Sequence, residues 1–407
     1  MTASGPLAGV LVLDLCHFLA GPYATIALAD LGADVVKVED PDHPDEARSI
    51  GPCFREQSVY FQSLNWGKRS LGVRLTHPEG HRVLLELVRR ADVVIDNYKP
   101  GVMTRLDLDH ETLAAVNPRL VTCSLSGFGA TGPDAHRPGY DYTIQARSGV
   151  MSLTGEPGGP PGKAGISYVD HGGGVAAALA VCAALVERGR TGTGRHIDLA
   201  LYDVQISMLS YLAAWNLNSG YSPGRQAAGA HPSIVPAQTF PTADGHVSLF
   251  VGNDPMWRRF CVAVADPRLL DAAFATNADR QVNRNRLLEI VHELLVAWPT
   301  QHWVAVCEAA RVPCEPVNTL ADALADPQVR ARSLTVASAG TATTRPYQHV
   351  RGPVPLDAGN AAIPAPALGA DNESVLAELG FTSDDIAQLV ECGALGSLTA
   401  TPEGVAP

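Results

Sequence analysis

Residues 10–39 read VLVLDLCHFLAGPYATIALADLGADVVKVE, and their periodicity decides the fold. Val10–Leu15 is a short apolar run with β-branched residues, Ala24–Leu31 has helical spacing, and Asp34–Glu39 is strand-like again. Strand, helix and strand in so short a span make a βαβ unit. Such a unit favours a parallel sheet, because parallel neighbours need a crossover between them. The theme repeats downstream. Ser70–Leu75, Ala91–Asp96 and Arg119–Ser124 read as further strands. Pro78–Arg90 reads as a helix with proline at its start and two arginines at its end, as the helix dipole prefers. Gly172–Arg188 (GGGVAAALAVCAALVER) is almost wholly apolar, which predicts a helix buried on most sides.

Near Asn216 the composition changes. The stretch NLNSGYSPGRQAAGAHPSIVPA is rich in Gly, Pro and Ser and reads as a connection. Beyond it Gly245–Val251 suggests a strand, and Leu287–Ala297 and His302–Ala310 suggest helices. A second Gly/Ala/Pro-rich stretch runs from about Ala337 to Ala370, followed by two short helices at Asp371–Leu379 and Ser383–Val390. No internal repeat is visible.

The chain has 407 residues, 46% of them apolar, enough for a sizeable core and for two or three domains. Lys plus Arg is 30 against 42 Asp plus Glu, a net charge of −12. That balance excludes a general nucleic-acid or anionic-membrane binder, while leaving room for a local basic pocket. With 18% charged residues, disorder is disfavoured. The N-terminal apolar run has no basic residues before it and makes a poor signal peptide. The strongest apolar run, Val175–Val186, is too short to span a bilayer, which takes about 20 residues. Eight scattered cysteines form no CxxC pair, so they read as buried thiols of a cytoplasmic protein with no metal site. A soluble cytoplasmic enzyme is the expectation.

Several short motifs have bland explanations. Gly127, Gly129 and Gly132 match GxGxxG after a strand, but Pro133 and Pro138 follow where a helix would have to open, so a glycine-rich turn is the better reading. No GxxxxGK[ST] or GxSxG occurs. His110-Glu111 and His292-Glu293 lack the second histidine of HExxH and read as surface helix residues. Asp170, directly before the apolar helix, reads as an N-cap on spacing alone. The same place suits a nucleophile: a helix N-terminus favours the ionised carboxylate, and the following glycines admit a substrate close to backbone amides. Lys68, Arg69, Lys99 and Arg105 are ordinary surface cations singly. Grouped on loops of one parallel sheet, they could bind an anionic cofactor.

Taken together, the segments resemble class III coenzyme A transferases. The marks are LAGPYATIALADLGADVVKVEDP, NWGKRSLGVRL, DVVIDNYKPGVMTRL, NPRLVTCSLSGFGATGP, PGYDYTIQARSGVMSLTG, DHGGG and ERGRTGTGRHIDLALYD, then HPSIVPAQTFPTADG, VGNDPMWRRFC, VPCEPVNTLADALADPQVRAR and PALGADNESVLAELGFTSDDI. The resemblance implies an α/β fold. It has a large Rossmann-like domain with a parallel sheet, formed by residues 1–215 and a returning segment 336–407, plus a smaller α+β domain at 216–335. Two subunits form an interlocked homodimer. It implies transfer of coenzyme A from an acyl-CoA to a small carboxylic acid, with no permanently bound cofactor. Asp170 is the implied nucleophile, acylated to an anhydride and then carrying coenzyme A as a thioester, in a site that excludes water. Tyr140 and Asp141 of PGYD match the active-site tyrosine and its acidic neighbour. Leu19, Ala20, Val73, Thr76, Asn97, Tyr98, Lys99 and Arg105 match the coenzyme A site, with Lys68 and Arg69 as phosphate partners.

There are departures from formyl-CoA transferase. Leu19 replaces an active-site glutamine, Asp40 stands where an arginine binds coenzyme A, and His231-Pro232-Ser233-Ile234 replaces a tetraglycine loop. HPSIVPAQTF is more similar to members acting on dicarboxylates. Two alternatives stay open: a 2-methylacyl-CoA racemase, for which Tyr140 is a poor base and His171 a spare candidate, and a non-catalytic acyl-CoA-binding protein.

Overall fold

The computed structural model describes residues 4–54, 57–338, 347–354, 356 and 363–396. Much of the second Gly/Ala/Pro-rich stretch, and residues 397–407 of the expected returning segment, lie outside the described residues. The chain divides into two compact units. One comprises Met1–Ile144, Ile166–Met208 and Arg330–Pro407, the other Gln145–Gly165 and Leu209–Val329.

The first unit opens with the βαβ element that the periodicity predicts: β1 (Leu11–Asp14), α1 (Ala20–Asp30) and β2 (Asp34–Glu39). A two-residue hairpin, β3 (Cys53–Phe54) and β4 (Gln57–Ser58), leads into α2 (Val59–Asn65) and β5 (Arg69–Gly72). Then come α3 (Pro78–Arg90), β6 (Val93–Asp96), α4 (Val102–Arg105), α5 (His110–Val116) and β7 (Val121–Ser126). After α6 (Asp141–Arg147), the long α7 (Tyr168–Thr191) runs back to β8 (His196–Ala200) and α8 (Leu201–Met208). The strands form one six-stranded sheet, ordered β5-β2-β1-β6-β7-β8, with every pairing parallel. Val12 stands opposite both Val35 and Val93, which fixes the register at its centre.

Helices cover both faces, as a parallel sheet requires. One core joins Val12, Val35 and Ile95 to Ala24 and Leu28 of α1 and Ala177 and Val181 of α7. The other joins Leu13, Val36 and Val94 to Val83 and Leu87 of α3. The terminus of α3 is built as read: His77 accepts the Glu79 N–H, Pro78 opens the helix, and Arg89 and Arg90 close it.

Three successive glycines let α7 sit where it does. A Cβ at Gly172 would lie 2.3 Å from Met208 Cε, at Gly173 2.3 Å from Leu201 Cδ2, and at Gly174 2.7 Å from the Ala20 carbonyl oxygen. The helix is nevertheless buried on one side rather than most. Val175, Leu179 and Val186 are exposed, Leu179 by 70%. An all-apolar run has no polar face to mark its outer side, so periodicity could not show this. The cysteines are mixed too: Cys53 and Cys392 are exposed, contrary to a uniformly buried set.

The longer segment of the second unit opens with α9 (Ser210–Ser219), so the composition change at Asn216 falls inside a helix. It contains an antiparallel sheet, ordered β11-β10-β9, from β9 (Ala237–Pro241), β10 (His246–Phe250) and β11 (Cys314–Pro316). Around it lie α10 (Asp254–Val264), α11 (Asn277–Val282), α12 (Arg284–Val296) and α13 (Thr300–Ala309). Its core holds Phe240, Leu249, Trp257, Phe260, Phe274 and Leu287. Arg280 is fully buried there, donating to the Val235 and Phe274 carbonyls and to Asp254. The helices α14 (Leu320–Ala325) and α15 (Pro327–Ala331) follow. Back in the first unit, β12 (Thr335–Ala337) pairs β13 (Gln348–Val350), and α16 (Asn372–Glu378) and α17 (Ser383–Glu391) extend the second core.

Candidate active site

In an open parallel sheet, ligands bind beyond the carboxyl ends of the strands, where the order reverses. Here the reversal lies between β1 and β6, since the chain goes from β1 outward to β2 and β5, then returns to β6. The loops after these two strands are joined. The Asn97 amide accepts the His17 N–H and donates to the His17 carbonyl, both at 2.8 Å. The rings of His17 and Tyr98 lie 5.7 Å apart. Thus the loop carrying Leu19 and Ala20 and the loop carrying Asn97, Tyr98 and Lys99 lie side by side.

Leu19 is the N-cap of α1 and offers no side-chain acceptor, so the start of the helix is uncapped. Such an end attracts anions. Lys99 and Arg105 flank the short α4 turn, are exposed, and have no ion-pair partner among the described residues. Tyr98 packs its ring against the second core, and burial first, then the Cys16 thiol and Asp96, pushes its phenol well above the ordinary range.

Four expected contacts are corrected. Lys68 is 3% exposed, and its ammonium donates to Asp14 Oδ2 at 2.8 Å, Asn65 Oδ1 at 2.7 Å and the Pro22 carbonyl at 3.3 Å, so it has no donor left for a phosphate. Arg69 is committed to Asp34 and Glu378. Val73 is a core residue whose N–H goes to the Glu39 carbonyl. Asp170 is not an N-cap. It lies inside the first turn of α7, three residues after the actual cap, Ser167. Thr76 is exposed in the turn before α3.

Asp170 is half-buried. Its helix start is held by Asp141, which is 3% exposed and accepts the Val169 N–H at 3.1 Å. Asp141 therefore positions the turn that carries Asp170. The tyrosine before it, Tyr140, is 60% exposed and meets Phe18 edge-on at 6.5 Å. The GFGATG turn explains how Tyr140 is placed. A Cβ at Gly127 would lie 2.4 Å from the Gly139 Cα, so two backbones touch directly and pin the PGYD turn. His171 engages the Ser167 carbonyl through Nδ1 at 2.7 Å and packs edge-on to Tyr23. A carbonyl only accepts, so Nδ1 carries the proton and Nε2 is the free position of the neutral ring.

Sequence reasoning missed Tyr60. It is the second residue of α2, and its phenol is pushed up to about 12 by burial, then by the charges of Asp170 and Asp45. It therefore keeps its proton at neutral pH. Nothing in SVYFQSLNW marks it, because α2 has only seven residues and carries no clear apolar period.

Beside the crevice a cavity of about 420 Å³ runs along β6, β7 and β8, lined by Asp96, Lys99, Thr104, Ser124, His196 and Asp198 among others. Asp96 is pushed up to about 6 by burial, against hydrogen bonds from Ser124 and the Tyr98 N–H. His110 opens α5 and, with His196, engages the Thr122 hydroxyl. For a cation, His17, Asp45 and Glu46 bring ligand atoms within 4.8 Å. The Asp45 carboxylate is already taken by Lys37 and by the Phe18 and Ala47 amides, so the set is not built for a metal.

Comparison with known proteins places the chain in a family. Residues 7–372 match the model of CoA-transferase family III. The chain belongs to CoA-transferase family III. It is a CoA-transferase, moving coenzyme A from an acyl-CoA to a carboxylic acid. It is 42% identical over 389 residues to a succinate–glutarate CoA-transferase of Agrobacterium fabrum, covering 92% of this chain and 96% of that protein. It is 40% identical to an acetyl-CoA:oxalate CoA-transferase of Acetobacter aceti, covering 83% and 87%. A crystal structure of a CAIB/BAIF family protein from Brucella suis superposes with a TM-score of 0.81 at 38% identity, covering 92% of this chain and 99% of that one. That structural match extends over most of the α/β architecture with its parallel sheet.

Proposed function

We propose that this CoA-transferase exchanges coenzyme A between two dicarboxylic acids of the succinate–glutarate size, with Asp170 as nucleophile. The single observation that carries the reading is the place of Asp170: half-buried, in the first turn of a helix held by Asp141 and three tightly packed glycines, at the carboxyl end of the sheet. The dicarboxylate class rests on the 42% identical relative. It rests also on HPSIV at 231–235.

The chemistry balances without any added reagent. The Asp170 carboxylate attacks the donor thioester carbonyl, forming an aspartyl–acyl anhydride and releasing coenzyme A thiolate. The thiolate attacks the aspartyl carbonyl, giving an aspartyl-CoA thioester and the free donor acid. The acceptor carboxylate attacks that thioester, releasing thiolate and forming a second anhydride. Thiolate attack on the acceptor acyl carbon regenerates Asp170. Each intermediate is an activated acyl group, so thioester energy is conserved if water is kept out. The coenzyme's charged end goes to the uncapped start of α1 at Leu19 and Ala20 and to Asn97, Tyr98, Lys99 and Arg105.

The working form is a homodimer. The exposed apolar face of α7, including Val175, Leu179 and Val186, supports this, because so wide an apolar stripe on a monomer is unusual.

Mixing the protein with succinyl-CoA and glutarate tests the reading. Asp170→Ala should lower exchange by about a thousandfold or more while free coenzyme A still binds, and a hydroxylamine-sensitive adduct should form on Asp170 in the wild type. Retained exchange in the variant would reject the nucleophile. Deuterium exchange at the α-carbon without coenzyme A exchange would indicate a racemase instead.

A further inference from the structure

The strand β2 reads DVVKVE, and its central lysine is out of keeping with a buried parallel strand. Lys37 is fully buried, and so is its ion-pair partner Asp45, at 2.9 Å. Neither belongs to the crevice. Both reach toward it from beneath. Lys37 Nζ donates to the Cys16 carbonyl at 2.6 Å. Asp45 Oδ1 accepts the Phe18 N–H at 2.9 Å. The pair thus grips the first βα loop on either side of His17, each charge taking the backbone group of matching polarity.

The rest of the grip is complete. Asp14 Oδ1 accepts the Cys16 N–H at 3.0 Å, and Asn97 holds both backbone groups of His17. What this achieves is visible at Phe18, which has φ of +61° without being glycine. L side chains seldom adopt that conformation, and it persists only when the surroundings over-determine it. The next residue is Leu19, the N-cap of α1, so the conformation of Phe18 sets where the uncapped helix start points. Phe18 also carries the edge contact to Tyr140.

Stability alone is a poor reason for the pair. Replacing a buried ion pair by well-packed apolar groups is often neutral or stabilising. We propose that Lys37 and Asp45 are positioning residues: their ion pair holds Phe18 in its left-handed conformation and so aims the start of α1 at coenzyme A. This rests on the coenzyme site given above, and it adds residues that do not touch the substrate.

The test is calorimetric binding of free coenzyme A, with steady-state exchange alongside. The double variant Lys37→Met/Asp45→Leu should stay folded by circular dichroism while its Kd for coenzyme A rises tenfold or more. Its KM for acyl-CoA should rise in parallel and kcat stay within about threefold. Adding Phe18→Gly to the double variant should recover at least threefold in Kd, because glycine adopts the conformation freely. A folded double variant with unchanged Kd, or no recovery with glycine, overturns the assignment. If the double variant does not fold, Phe18→Asn and Phe18→Val in the otherwise intact protein decide the matter. Both lose the ring, but only asparagine tolerates the left-handed conformation, so the valine variant should bind at least fivefold more weakly. Equal affinities overturn the proposal. Wild-type protein that fails to bind coenzyme A would reject the transferase site itself, whereas wild-type binding with unmoved variants rejects only the role of the pair.

Discussion

Two groups of cations border strands of the same sheet and meet opposite fates. Lys68 and Arg69, with Lys37 nearby, are consumed by carboxylates within the fold. Lys99 and Arg105 stand exposed around α4, with no ion-pair partner among the described residues. Residue type does not separate the groups, although position does in part, since Arg69 opens β5 and Lys99 follows β6. What separates them is the local count of acids: Asp14, Asp34, Asp45 and Glu378 surround the first group. A basic motif is free to bind a phosphate only where the fold has supplied no carboxylate of its own.

The comparison can be broken by substitution. The largest effect is expected for Lys68→Met, which strands the Asp14 carboxylate in the core. Burial alone raises that carboxyl, and Lys68 and Lys37 together hold it well below its usual range. Stability to urea should fall by about 3–5 kcal/mol. Coenzyme A affinity of the molecules that remain folded should be unchanged. A large loss of affinity with stability intact would put Lys68 back in the site.

Next comes Asp96, an acid beside the cavity with no cation against it. Its folded value of about 6 lies above the ordinary carboxyl value of 3.8, so the native state binds its proton more tightly than the unfolded state. That contribution is complete below about pH 4 and is lost as pH rises through 6. Asp96→Asn should therefore gain about 1–3 kcal/mol relative to wild type at pH 7, with the gain vanishing near pH 4. Urea melts of both proteins across that range would show it, and a constant difference would refute the shift.

Smaller again, Arg105→Ala should weaken coenzyme A binding about tenfold, roughly 1.4 kcal/mol, and flatten its salt dependence, leaving the melting temperature in place. Smallest is Arg69→Ala. Its partners Asp34 and Glu378 are well exposed, so a stability loss of about 1 kcal/mol or less is expected, with no change in Kd. If Arg69→Ala and Arg105→Ala moved the same observable, the contrast between the groups would fail.

The alternation of strand and helix was legible because it rests on local periodicity. Asp34–Glu39 and Pro78–Arg90 occur with the bounds read from sequence. The edge strand β8, HIDLA, escaped because three of its five residues are not buried, which leaves no apolar pattern. In the site, the crevice residues were legible only through family resemblance. The burial of Lys68 was not, because its partner Asp14 lies 54 positions away and only the sheet brings them together. Tyr60 was hidden because α2 carries no clear apolar period, whereas Asp141 was named from PGYD and only its partner, the Val169 amide 28 residues on, was not.

The three glycines that begin α7 have one more implication. Met208, Leu201 and the Ala20 carbonyl each close a different side of that turn. The nucleophile is therefore keyed into its neighbours like a shaft into a slot, unable to rotate unless two other helices shift with it. An added methyl group there would turn the reacting oxygen the wrong way and lower the melting temperature together, because its neighbours must move to admit it.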